Sequence, residues 1–223
     1  RWCRRRQRAR CQARHRPGHA RGGDPLSAGR IGGKRQRAPI EANRRDEILR
    51  AAARLFVEKG FDATTTRDIA EAVGMRSGSP FYHFRSKQDL LKTAMIEGLE
   101  AGYRRLLATI AEVSDPEQRL RTMIRTHLGN LLESDCHAPM LLYESRSLDA
   151  RARAEIAAVT DRYQQVWQAT LDELAAAGRL RSSAPPLRLF IFGMLNWSSQ
   201  WYRPDGGLSL DEIADAAAEL LLA

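Results

Sequence analysis

Eight side chains between Thr65 and Lys87 carry the most suggestive chemistry in this chain. They are the hydroxyls of Thr65, Thr66, Ser77, Ser79 and Tyr82, the imidazole of His83, and the cations Arg67 and Lys87. Hydroxyl, imidazole and guanidinium groups hydrogen-bond the edges of bases, and with lysine they also bind phosphate oxygens. The same set makes a poor catalyst, because it contains no nucleophile beside a base and no metal-ligand spacing. Elsewhere His127, Cys136 and His137 are the only raw material for such a centre, so no catalytic residue, metal or cofactor is expected.

The backbone around these residues reads as two short helices joined by a turn. Thr65 has the chemistry of an N-cap, with Asp68 at the third position of a capping box. Ile69, Ala70 and Val73 give a narrow apolar stripe, and Gly74 is the residue best suited to a left-handed C′ position. A second helix is expected from Ser77, with Pro80 in its first turn, where a missing N–H costs least. Phe81 and Phe84 would pack on the first helix, leaving Ser77, Ser79, Tyr82 and His83 outward. A polar helix held across a partner by a glycine turn is built like a helix-turn-helix reader of DNA.

The pattern Thr65-x-x-Asp68-Ile69-Ala70-x-x-x-Gly74, then Gly78, then Phe81-Tyr82-His83-Phe84-x-Ser86-Lys87-x-x-Leu90-Leu91 resembles the TetR/AcrR family of transcriptional regulators. The likeness spans residues 43–95. It departs from the family at Pro80, where an apolar residue is usual, and at Phe81, where tyrosine is commoner. Tyr82 is placed to supply the hydroxyl that Phe81 lacks. The resemblance implies an all-α protein, with an N-terminal three-helix helix-turn-helix domain and a C-terminal helical domain for ligand binding and dimerisation. We place the first at 41–88 and the second at 89–223. Ser77, Ser79, Thr66 and Arg67 are assigned to base edges, and Thr65, Tyr82, His83, Lys87 and Arg44 to phosphates.

The net charge of +9 does not by itself argue for a nucleic-acid partner. Residues 1–40 hold 13 of the 36 basic residues and one of the 27 acids, so the remaining 183 residues carry 23 bases against 26 acids. This tail is rich in Arg, Gly and Pro, lacks apolar periodicity, and is expected to be disordered. Its reading stays open between a basic arm adding non-specific phosphate contacts and a stretch without such a role, either coding sequence read upstream of the true start or a fragment. The rest is ordinary globular composition, with 43% apolar residues over the whole chain. No run of 18 apolar residues exists, so neither a membrane span nor a membrane partner is expected. Cys3, Cys11 and Cys136 suggest no disulfide framework, which fits a cytoplasmic, nucleoid-associated protein.

Beyond the reading unit the periodicity is helical throughout. A helix over 43–59 ends at Gly60. Ser86 caps a helix of about 25 residues that leaves the reading unit and links it to the rest. Pro116 opens the next, a short helix spans 139–148, and a long amphipathic one spans 149–177, closed by Gly178. Pro185 and Pro186 start a helix that is apolar nearly all round, a surface most simply covered by a second copy of the chain. The last helix is 210–222. The family resemblance implies a homodimer through these final helices, 185–203 and 208–222. The pattern Asn196-Trp197…Trp201-Tyr202-x-Pro204-x-Gly206-Gly207 is similar to that of members sensing acyl-coenzyme A thioesters.

The expected function is therefore a ligand-responsive regulator bound to double-stranded operator DNA and released by a small apolar effector. Candidate pocket residues are Met123, Met140, Tyr143, Tyr163, Trp167, Met194, Asn196 and Trp197. His127 reads as a core histidine. Asn196, an amide in an apolar helix, needs a partner: ligand, backbone or second subunit. Two other classes are weighed against this reading. One is an all-α enzyme or binding protein for an apolar or thioester ligand. The other is an RNA-binding protein working through the arginine-rich tail.

Overall fold

The protein is described by a computed structural model covering residues 37–75, 83–133 and 137–222. The tail expected to be disordered lies outside them up to residue 36, while 37–40 are helical, and the expected helix from Ser77 lies outside them. Among the described residues every regular element is helical. In chain order these are α1 (Arg37–Lys59), α2 (Thr66–Ala72), α3 (Lys87–Ile110), α4 (Pro116–Leu132), α5 (His137–Glu144), a 3₁₀ turn (Ser145–Ser147), α6 (Ala150–Ala176), α7 (Pro185–Trp201) and α8 (Leu210–Leu222).

Local chemistry sets most of the helix ends. Thr65 and Asp68 form the reciprocal capping box at the start of α2, and Ser86 accepts the N–H of Asp89 to start α3. Asp115 and Asp149 cap α4 and α6 in the same way. At the other ends Gly74 and Gly178 take positive φ values of 64° and 71°. Met75 and Arg179 then donate their N–H groups back to the carbonyls of Ala70 and Leu174, both at 2.8 Å. That bond satisfies carbonyls the helix cannot. Two helices have bounds that differ from expectation. α1 starts at Arg37 rather than 43, because Pro39 falls in its first turn and needs no helical partner. The short helix starts at His137 and ends at Glu144, with Pro139 again in the first turn, and gives way to the 3₁₀ turn.

Two apolar cores are strung along α3. The first gathers Ile48, Phe56 and Val57 of α1, Ile69 of α2, Phe84, and Leu90, Leu91, Ala94 and Met95 of α3. Met140, Leu148, Ala152 and Ile156 belong to the same cluster, so α5 and the start of α6 floor the reading unit. The second core joins Leu106 at the far end of α3 to Leu120, Met123, Ile124 and Leu128 of α4, Trp167 and Leu171 of α6, Ile191 and Leu195 of α7, and Ala214 and Ala218 of α8. α4 is central, packing against α3, α6, α7 and α8. Each large apolar side chain buried this way contributes roughly 1.5–3 kcal/mol. α3 thus has one end in each core.

Candidate nucleic-acid interface and effector cavity

In the reading unit the capping box leaves the Thr65 side chain engaged. Its hydroxyl accepts the Asp68 N–H at 3.1 Å, while Asp68 Oδ2 accepts the Thr65 N–H at 2.7 Å. Lys59 donates to Asp68 Oδ1 at 2.8 Å. That ammonium first, and Thr65 second, hold the Asp68 carboxyl well below the usual carboxylate range. Thr66 is half-buried at the start of α2, and Arg67 is exposed with Nε 3.5 Å from Glu71. Arg44 is exposed and pairs with Glu47 at 2.8 Å. His83 is half-buried just ahead of the buried Phe84. Ser77, Ser79 and Tyr82 lie outside the described residues.

Lys87 turns inward. Its ammonium donates to the carbonyls of Phe61 and Thr64 at 2.9 and 3.0 Å, and stands 4.2 Å from the centre of the Phe61 ring. The loop between α1 and α2 is held from below as well, because Glu144 accepts the buried Phe61 N–H at 3.2 Å. A second tie joins the units where Gln88 donates to the carbonyl of Ser147.

Beneath α1 a cavity of about 1020 Å³ opens between α1, α3, α4, α6 and α7. Its inner wall carries His127, Asn130, Tyr163, Phe192 and Asn196. The His127 ring is 3.0 Å from the Tyr163 hydroxyl through Nδ1 and 3.1 Å from Asn196 Oδ1 through Nε2. A neutral imidazole satisfies both, accepting from the tyrosine and donating to the amide. Burial pulls the His127 pKa down to about 4, with the Asn196 bond pulling weakly the other way. Burial likewise raises the Tyr163 phenol. Phe192 lies edge-on to the His127 ring, 5.3 Å between centres. At neutral pH this wall is therefore uncharged, with polar atoms placed to orient a carbonyl or hydroxyl. Gly98 and Gly102, one turn apart on α3, line the same space, and the Asn130 amide lies against Gly102, 3.2 Å from where a Cβ would stand. Among the described residues no cluster of three potential metal ligands occurs, and no helix is long and apolar enough to cross a membrane.

Residues 48–94 match the family model of bacterial regulatory proteins of the tetR family, and residues 113–223 match the tetracyclin repressor-like C-terminal domain. The crystal structure of PfmR, a TetR-family transcriptional regulator from Thermus thermophilus, is 31% identical, with a TM-score of 0.71 over 78% of this chain and 96% of that one.

The chain belongs to the TetR family.

Other relatives agree in fold. AibR, solved in complex with isovaleryl coenzyme A and operator DNA, is 26% identical with a TM-score of 0.75, covering 80% of this chain and 98% of that one. PfiT, described as a superantigen, is 38% identical with a TM-score of 0.70 over 80% and 96% of the two chains. The transcriptional repressor KstR2 of Mycolicibacterium smegmatis is 27% identical over 186 residues, 81% of this chain and 90% of its own length. The all-α architecture and the N-terminal DNA-binding helix-turn-helix of a TetR-family transcriptional regulator follow.

The cavity of this TetR-family protein gathers only some of the residues the sequence singles out. Tyr163 and Asn196 line it. Met123, Met140 and Trp167 are fully buried core instead. Tyr143 is half-buried, its hydroxyl 3.1 Å from Ser199 Oγ. Met194 and Trp197 stand on the outer face of α7, Trp197 67% exposed. The reason is helical geometry: Asn196 and Trp197 are neighbours in sequence but about 100° apart around the axis. The partner Asn196 requires is His127, which lines the cavity rather than sitting sealed in the core. Missed altogether were Asn130, Phe192, Arg50, Arg104 and Arg105. The one signal for the cavity was Gly98 with Gly102, two mid-helix glycines where alanine would be more stable by about 1 kcal/mol each.

Proposed function

We propose that this chain is a transcriptional repressor that grips a pseudo-palindromic operator as a homodimer and is released when a small, largely apolar effector fills the cavity under α1. The observation that carries this reading is the cavity's position. Its wall includes Asp46, Leu49 and Arg50 of α1, within the reading unit, and Gly98, Gly102, Arg104 and Arg105 of α3, which links the two cores. A ligand there touches the reading unit and its lever together, so its binding energy can favour one tilt of α3 over another.

The reading unit, taken as 41–88, presents Ser77, Ser79, Thr66 and Arg67 to base edges. Tyr82, His83, Arg44 and Thr65 bind phosphates, and Lys87 does so on turning out from its carbonyls. The effector and dimer domain is 89–223. Two reading units must span about one turn of duplex, ~34 Å, for both to enter successive major grooves. The dimer forms through α7 and α8, over 185–203 and 208–222. Support comes from the outer face of α7, where Leu189, Phe190, Met194, Trp197 and Trp201 are exposed in one stripe, with Leu220 of α8 also bare. An apolar patch of that kind is covered in a working protein. The repressor acts in the cytoplasm on the nucleoid. Coenzyme A thioesters are the first effectors to try, since AibR was solved with one.

The test is a mobility shift on a duplex taken from the gap upstream of the protein's own gene. The expected result is a discrete dimer shift, abolished by one member of a panel of acyl-coenzyme A thioesters and other small apolar ligands. A shift that persists with every ligand ends the effector reading, and no shift on any duplex ends the regulator reading.

A further inference from the structure

The charges around the cavity mouth do not cancel locally. Four carboxylates line it, Asp46, Glu97, Glu100 and Glu133. Each has a guanidinium beside it from outside the lining. Arg45 is shared between Glu97 at 2.7 Å and Asp46 at 3.7 Å, Arg162 pairs with Glu100, and Arg125, whose nearer partner is Asp211, lies 3.7 Å from Glu133. Three arginines of the lining are left over. Among the described residues Arg105 donates only to a neutral acceptor, Asn130 Oδ1, at 3.0 Å. Arg50 and Arg104 have no ion pair or hydrogen bond to a side chain among the described residues. All three are exposed, so they ring the rim, whereas the inner wall of His127, Tyr163, Phe192 and Asn196 is sheltered.

We propose that Arg50, Arg104 and Arg105 form an anion collar, and that the effector is an amphiphile whose uncharged, oxygen-bearing body lies against His127, Tyr163 and Asn196 while a phosphate or carboxylate head sits between the three guanidiniums. This rests on the reading of the cavity as the effector site and adds the ligand's chemical class. The neutral state of His127 argues for the same polarity, since nothing on the inner wall offsets a buried anion. Guanidinium is the side chain suited to a planar carboxylate or a phosphate face, where it donates two bonds at once.

The collar also joins two helices. Arg50 is on α1 in the reading unit, and Arg104 and Arg105 are more than halfway along α3. An anion held by all three bridges α1 to α3. At rest those helices are tied by the Arg45–Glu97 pair, with Arg45 also 5.3 Å from the Phe84 ring centre. The head, not the apolar body, is then the part that changes the angle of the reading unit.

The experiment uses the full chain and a matched ligand set of one chain length: decanoyl-coenzyme A, decanoic acid and the uncharged decanoyl-pantetheine and decanol. Binding is measured by calorimetry and operator release by mobility shift, in the wild type and in Arg50→Ala/Arg104→Ala/Arg105→Ala. These are surface side chains, and thermal melting confirms that the variant is folded. The expected result is an anionic member binding the wild type at least about tenfold tighter than its uncharged partners, with that preference falling at high salt and disappearing in the triple variant. A preference for the thioester identifies phosphate as the head, and a preference for the acid identifies carboxylate. Equal binding of charged and uncharged members overturns the collar but leaves the cavity as effector site. So does an anion preference that survives in the triple variant. Binding of no member in either protein overturns the collar together with the effector reading.

Discussion

The carboxylate of Glu144, at the end of α5, accepts the buried backbone N–H of Phe61 at 3.2 Å, across 83 residues of chain. This bond ties the loop between α1 and α2 to the effector domain. Glu144→Gln keeps an acceptor and is expected to change stability little. Glu144→Leu leaves the amide without a partner, at a cost of about 1–3 kcal/mol. Chemical denaturation of both variants checks this, and equal stability of the two would show that the bond contributes nothing.

Lys87 offers a test of where its charge is used. Lys87→Met removes two bonds to carbonyls and a stack on Phe61. We expect a melting temperature lower by several degrees, from a loss on the order of 1–3 kcal/mol. The salt dependence of operator binding separates the roles. If Lys87 reaches a phosphate in the complex, the slope of log K against log salt falls by about 1 per subunit, and an unchanged slope confines it to the fold.

His127 gives a pH dependence with a definite sign. Its pKa in the folded chain is held near 4 by burial, against 6.5 when exposed. Between those values the unfolded chain binds the proton and the folded chain does not, so stability falls as pH drops from 6.5 toward 4. The full span is on the order of 3 kcal/mol. His127→Gln is expected to flatten that part of the profile, read as wild type minus variant in denaturation at pH 5 and 7.5. A constant difference across that range would mean the folded ring binds its proton as an exposed one does, and a difference that grows as pH falls would mean the fold favours the charged ring.

The outer face of α7 is the place to test assembly. Phe190 is 74% and Trp197 67% exposed in the single chain. Phe190→Asp with Trp197→Asp is expected to weaken the dimer by at least ~30-fold, since buried aromatic anchors carry about 2 kcal/mol or more each. Sedimentation at micromolar concentration reads the outcome. A variant that stays dimeric, or a wild type that is monomeric, moves the interface elsewhere.

Tyr82→Ala is expected to weaken operator binding by roughly tenfold on all duplexes alike, as loss of a phosphate contact does. Competition with single-base operator variants checks this. A changed base preference would move Tyr82 from phosphate to base-edge contact.

What could be read from the sequence was what neighbours in sequence decide. Thr65 with Asp68, Ser86 with Asp89, Pro116, Gly74 and Gly178 act within one turn, so their types alone place the helix ends. The cavity was not legible in the same way. Spacing puts Met123 and Trp167 on an apolar face but does not say whether that face meets another helix or a void. Here it meets the core, and both are fully buried. Nothing in the spacing marks Arg50, Arg104 and Arg105, because the arginines that lie beside the nearby acids, Arg45, Arg162 and Arg125, come from other turns and other helices. Asn196 was legible as a polar group in need of a partner, and its partner lay 69 residues away at His127.

The first core has a consequence for how such proteins can be taken apart. Met140, Leu148, Ala152 and Ile156 are as much a part of it as Ile48 and Leu90. The DNA-reading head is therefore no detachable cassette. Severed after residue 94 it would lose its floor and the carboxylate that anchors Phe61, and a chimera carrying it onto another member's body must bring α5 and the first turns of α6 along as its seat.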